Sequence, residues 1–191
     1  MIDPSPRDPA GILVRAGDRV SLHRHVPAQR DTFAVWYQDA EIARLLRHDL
    51  RPLNAIQARG YFDSVILPAS ANNTCWAIHE NHTGRFIGST AVTEFDSRHE
   101  TSKFRIVIGE KSCWSMGYGT EATALVAAEA FANLGLHTIK LEVFTHNMRA
   151  FRAYRRVGFV QTGMHEEWVA SERKRLGVIE MELRAADFRI R

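Results

Sequence analysis

A chain of 191 residues, 45% hydrophobic and 25% charged, has an ordinary globular composition and enough length for one sizeable core. A formal charge of +3 and a pI near 9.1 suit an acidic ligand such as a nucleotide, but the bias is too small to argue for nucleic-acid binding. No apolar run reaches the length of a membrane span and the proline-rich start does not read as a signal peptide. Cys75 and Cys113 have neither metal-ligand nor disulfide spacing, so free thiols, no metal site and a reducing cytoplasm are expected.

Residues 1–18 carry Pro4, Pro6, Pro9, Gly11 and Gly17 and read as a loose tail with a short extended piece at 12–14; a single domain over 19–191 follows. Residues 19–25 alternate Val20 and Leu22 against Ser21 and His23, as a first strand does. His23 and His25 share a face there but lack a third metal ligand, so a solvated strand face is the simpler reading. Pro27 opens a helix to about residue 46, with Phe33, Trp36, Tyr37 and Ala40 along one side. Asn54 and Gln57 have the spacing of a capping box for a second helix to about residue 66, which Pro68 is expected to stop. Three extended runs follow, at 75–80, 85–95 and 101–108. Their short polar connections favour consecutive antiparallel pairing.

The chain is organised around what comes next. An apolar strand at 104–108 leads through a connector to Gly117-Tyr118-Gly119-Thr120, which opens a helix marked by Ala122, Leu125, Val126, Ala130 and Leu134 and closed near Gly135. The two glycines let successive backbone N–H groups point into one concavity at a helix head, where an anion and above all a phosphate is held. A strand at 139–144 follows. Asn147 then caps a helix with Ala150, Phe151, Tyr154 and Val157 on its inner face, and two last strands at 160–169 and 176–183 meet at an exposed turn. Gly117, Gly119 and Ala122 followed by Glu142 formally fit a dinucleotide-binding fingerprint, but residues 110–116 separate the first glycine from its strand and antiparallel strands precede the unit.

Two separated segments, Ser115-Met116-Gly117-Tyr118-Gly119-Thr120-Glu121-Ala122 and the stretch from Asn147 through Tyr154 to Gly158-Phe159, together resemble the GNAT superfamily of acetyl-CoA-dependent N-acetyltransferases. The helical insert ahead of the sheet is similar to the ribosomal-protein (RimJ/RimL-like) branch. The resemblance spans roughly residues 20–183. It implies an α+β fold: a central, mostly antiparallel, splayed sheet of about seven strands flanked by about four helices.

The same resemblance implies that acetyl-CoA is the cosubstrate and a primary amine the acceptor, with no membrane or nucleic-acid partner; it also admits a homodimer. Trp114, Ser115, Met116, Gly117, Tyr118, Gly119 and Thr120 would form the diphosphate loop, with Trp114 standing where the family carries Gln or Arg. Val107 and Ile108 would pair through their backbone with the pantetheine arm, and their N–H groups are candidate oxyanion donors. Asn147 would hydrogen-bond that arm as well as cap its helix. Tyr154 would protonate the departing thiolate, the alternative being simple core packing. The branch often places a glutamate where this chain has Lys103, which leaves Glu94, Glu142 or water as the proton acceptor. Of the four arginines at 149, 152, 155 and 156, one or two are expected to reach CoA phosphates. A CoA-sensing domain without turnover is the non-enzymatic alternative.

Overall fold

The computed structural model describes residues 10–46, 49–98 and 100–189; the proline-rich start of the expected tail, residues 1–9, lies outside them. The chain runs β1 (Leu13–Ala16), β2 (Val20–His23), α1 (Arg30–Tyr37), α2 (Ala40–Leu46), α3 (Ala55–Tyr61), α4 (Leu67–Ala71), β3 (Cys75–Glu80), β4 (Phe86–Asp96), β5 (Thr101–Ile108), α5 (Tyr118–Asn133), β6 (Thr138–Phe144), α6 (Met148–Val157), β7 (Val160–Val169) and β8 (Lys174–Arg184). The strands form one mixed sheet in the order β1-β2-β3-β4-β5-β6-β8-β7. Among the described residues no helix is long and apolar enough to cross a membrane.

Every neighbouring pair is antiparallel except β5 and β6, and that exception positions the site. Their parallel ladder has three residue pairs, ending at Lys103 opposite Lys140. Meanwhile β5 stays paired with β4 as far as Ile108, and β6 with β8 as far as Phe144. The sheet is thus two half-sheets joined by a short seam. Because each half carries its own right-handed twist, the strands part beyond the seam and leave a gap between residues 104–108 and 141–144.

The two faces of the sheet bury separate apolar layers. On one, α5 and α6 cover a cluster that includes Trp76, Ile87, Phe104, Val126, Ile139, Tyr154, Phe159 and Met181. On the other, Phe33, Trp36, Ile42, Phe62 and Phe86 are held under the helices between β2 and β3. Helix α5 follows from its alanine-rich run. Its one buried charge, Glu129, accepts from Arg15 Nη2 at 3.0 Å, Asn133 Nδ2 at 2.7 Å and Asn73 Nδ2 at 3.3 Å. Those bonds anchor β1, the extended piece expected at 12–14, as the eighth strand.

Three expectations are corrected. The first helix is two, because the Asp39 carboxylate caps α2 by accepting from the N–H groups of Glu41 and Ile42 at 2.9 and 3.0 Å. The Asn54–Gln57 capping box forms in both directions, but Pro68 does not end the helix. A π turn at Phe62–Ile66 carries the chain into α4, where proline sits in the first turn and its missing N–H is harmless. His25 is not on a solvated face. It is buried, with Nδ1 on Gln29 Oε1 at 2.8 Å and Nε2 on Ser89 Oγ at 2.9 Å.

Candidate active site

A cleft of about 210 Å³ opens where β5 and β6 part. One wall is the end of β5 and the head of α5. Ser115 and Gly117 both take left-handed backbone angles, φ 63° and 86°, which curl the connector back onto the helix it opens. No side chain at Gly117 caps α5, so the first-turn N–H groups of this helix face the cleft as bare backbone carrying the positive end of the helix dipole. At Gly119 a Cβ would have Ile108 Cγ1, 3.6 Å away, as its only near neighbour and would project into open space. From behind, Arg19 Nη1 donates to the Met116 carbonyl at 2.8 Å and Arg19 Nε to Glu121 Oε2 at 3.0 Å, which fixes the loop. Bare amides at a supported helix head fit a diphosphate.

The opposite wall is β6 and α6. Asn147 Oδ1 caps α6 by accepting from the Ala150 N–H at 3.2 Å, while its Nδ2 donates to the Leu45 carbonyl at 3.4 Å. Tyr154, about two turns further on, lines the cleft edge-on to Phe104 at 6.1 Å. Among the described residues its hydroxyl has no hydrogen-bond partner, and burial pushes its pKa well above the ordinary phenol value. The phenol therefore stays protonated at neutral pH and has a proton to give. Helix α2 lies across the gap, placing Ile42, Leu45 and Leu46 on its lining. It is tied to the β5 side by Lys111 Nζ on Asp39 at 2.7 Å and to the β6 side by His146 Nε2 on the Arg44 carbonyl at 2.8 Å.

Most of the expected site residues meet in this one cleft: Val107, Ile108, Trp114, Ser115, Gly117, Gly119, Thr120, Asn147 and Tyr154 all line it. Met116 turns its side chain outward and the Tyr118 hydroxyl donates to Glu80 Oε1 at 2.6 Å; neither residue is on the lining. Glu94 is not on the lining. It sits at a bulge between Thr93 and Asp96 with φ 55°, and its exposed carboxylate takes Arg105 Nη2 at 3.2 Å. Glu142 does reach the cleft, and also a shallower groove on the sheet beside the seam; its carboxylate is 2.7 Å from Lys103 Nζ. Sequence reasoning did not single out Cys113 as lining, nor Arg149 among its arginines. Arg149 lies over the Trp114 ring with Cζ 3.7 Å from the centroid.

An open mixed sheet parted at its centre, with an uncapped helix head on one side of the parting, is the architecture of the GNAT acetyltransferases. The chain belongs to that family: residues 19–160 match the acetyltransferase (GNAT) domain. Among solved structures it is similar to a GNAT-family acetyltransferase from Bacillus anthracis, at 12% identity and a TM-score of 0.77 over 91% of this chain and 98% of that one. It is also similar to a spermidine N-acetyltransferase from Vibrio cholerae solved with CoA and spermine, at 17% identity and 0.75 over 88% and 97%. A third is RimJ from Mycobacterium smegmatis, solved with CoA-disulfide, at 14% identity and 0.72 over 87% and 82%. At these identities the likeness is one of fold.

Proposed function

We propose that this protein is a single-domain N-acetyltransferase, the domain taking in β1 (Leu13–Ala16) ahead of the expected start at residue 19, and working in a reducing cytoplasm. It moves the acetyl group of acetyl-CoA to a primary amine by direct attack. The observation that carries this reading is Tyr154, its hydroxyl unclaimed by any other group among the described residues, lining the same cleft as the α5 head and Asn147. In this reading the first-turn amides of α5 take the diphosphate, and the edge of β5 at Val107 and Ile108, which β6 leaves open beyond Lys103 and where the Ile108 carbonyl already accepts from Trp114 Nε1, takes the pantetheine arm. That brings the thioester down to Tyr154. The amine nitrogen attacks the acetyl carbonyl, the C–S bond breaks, and the phenol proton passes to the leaving thiolate.

The attacking nitrogen must also lose a proton. Glu142 is the better candidate for receiving it, directly or through water, because its carboxylate is on the cleft lining whereas that of Glu94 is outside. Lys103 Nζ lies 2.7 Å from the Glu142 carboxylate. The acceptor is a protein N-terminal α-amine, as in the RimJ/RimL-like branch, or a small-molecule amine. The helices between β2 and β3 resemble that branch's insert and favour the former.

The test mixes the protein with acetyl-CoA and a panel of N-terminal peptides, polyamines and amino acids while free thiol is followed. Acceptor-dependent thiol release supports the transferase. Thermal stabilisation by CoA with no release from any amine would replace it with a CoA-sensing domain, and stabilisation by NAD but not CoA would remove both.

A further inference from the structure

The diphosphate loop of this chain lacks the polar side chain that the family resemblance leads one to expect, since an indole occupies position 114. That ring is rigidly held. Its Nε1–H donates to the Ile108 carbonyl at 2.7 Å, which turns one face of the indole toward α6. On that face lies the Arg149 guanidinium, Cζ 3.7 Å from the ring centroid, reaching over from the first turn of the helix on the opposite wall. A stacked guanidinium uses its π face for the ring and keeps its N–H edge for a planar oxyanion.

Two cations approach Trp114, and only one has donors to spare. Lys111 Nζ, 5.8 Å from the ring, is already engaged by Asp39 at 2.7 Å and Glu41 at 2.8 Å. Arg149 has no carboxylate in ion-pair contact among the described residues; Glu41 acts on it only from a distance. Both Arg149 and Trp114 line the cleft beside the α5 head.

We propose that Trp114 and Arg149 act as one unit, the indole serving as a platform that carries the guanidinium to the CoA diphosphate and so restores from α6 the side-chain donor missing at position 114. The assignment rests on the reading that the cleft takes CoA. It makes an uncharged aromatic residue necessary for binding an anion, a consequence that ordinary charge counting does not produce.

Calorimetric titration with CoA, dephospho-CoA and pantetheine tests it on the intact protein. Arg149→Ala should weaken CoA and dephospho-CoA, which keep the diphosphate, about tenfold, and leave pantetheine, which has none, unchanged. Trp114→Ala should cost a similar factor, and the double variant little more than either single one. Trp114→Arg placed on Arg149→Ala should recover most of the affinity, an outcome that a merely structural role for the stack does not give. Wild-type protein indifferent to CoA would overturn the transferase reading and this assignment with it. Normal wild-type binding with Arg149→Ala unchanged would overturn the assignment alone. A loss seen with CoA but absent with dephospho-CoA would move Arg149 from the diphosphate to the 3′-phosphate.

Discussion

Replacing Tyr154 with phenylalanine removes one oxygen from the floor of the cleft and nothing else. That oxygen has no partner among the described residues to orphan, and the ring keeps its contacts with Phe104 and Phe159. The folding cost should therefore stay under about 1 kcal/mol, a melting shift of no more than roughly 2–4 °C for a domain of this size. Affinity for CoA should hold within about twofold, since anchoring falls to backbone amides elsewhere. The rate should behave quite differently. Without a proton donor the thiolate leaves unprotonated, and turnover at saturating acetyl-CoA and amine should fall by about 10²-fold or more, equivalent to roughly 2.7 kcal/mol of transition-state stabilisation. Because burial raises the phenol pKa, the wild-type rate should also show no alkaline decline from Tyr154 ionisation at or below about pH 10, its ordinary value. The assay is thiol release under single-turnover and steady-state conditions, paired with CoA titration. A variant whose chemical step runs at the wild-type rate would return Tyr154 to a packing role and refute the reasoning.

Three other perturbations separate the parts of the site and the fold. Gly119→Val puts a branched side chain where the helix head now offers bare backbone, so the dissociation constant for CoA should rise at least about tenfold with the fold retained, as read by thermal shift with and without ligand. Glu142→Gln should lower turnover while CoA affinity is unchanged; unaltered turnover would hand the proton to water. His25 is accommodated as the neutral ring, and burial lowers its pKa from 6.5 to about 4. Its share of stability is thus complete above pH 6.5 and is lost as the pH falls toward 4, by roughly 3 kcal/mol, and urea unfolding of His25→Gln should show a correspondingly shallower dependence over that interval.

What could be read from the chain was what is written locally. Strand alternation, the capping box at Asn54 and Gln57 and the pairing of a glycine loop with an Asn-capped helix each lie within a few residues, and these gave the sheet, the glycine-led head of α5 and a place for Tyr154 on the same cleft. What escaped depends on distant partners. The strand at Leu13–Ala16 is secured by Arg15 reaching Glu129, a carboxylate set in an apolar helical run, which in hindsight signals a cation arriving from elsewhere. Asp39 in the middle of a helical pattern carried the signal for the break between α1 and α2. Pro68 misled because a π turn can present a proline to a fresh first turn. Glu94 and Glu142 looked equivalent on neighbouring strands; a one-residue bulge, invisible in the spacing, turns the first away from the cleft. The stack of Arg149 on Trp114 joins two walls that meet only in three dimensions.

The seam between the half-sheets has a wider implication. In the proposed function the guest along the far part of β5 is recognised by amide spacing instead of a side-chain code, and its berth is there only because the zipper stops at Lys103. A substitution that let β6 close onto β5 by another residue or two would erase it while leaving every lining side chain chemically intact. Mutations that silence this protein therefore need not touch the cleft at all; they need only relax the divergence of two ribbons.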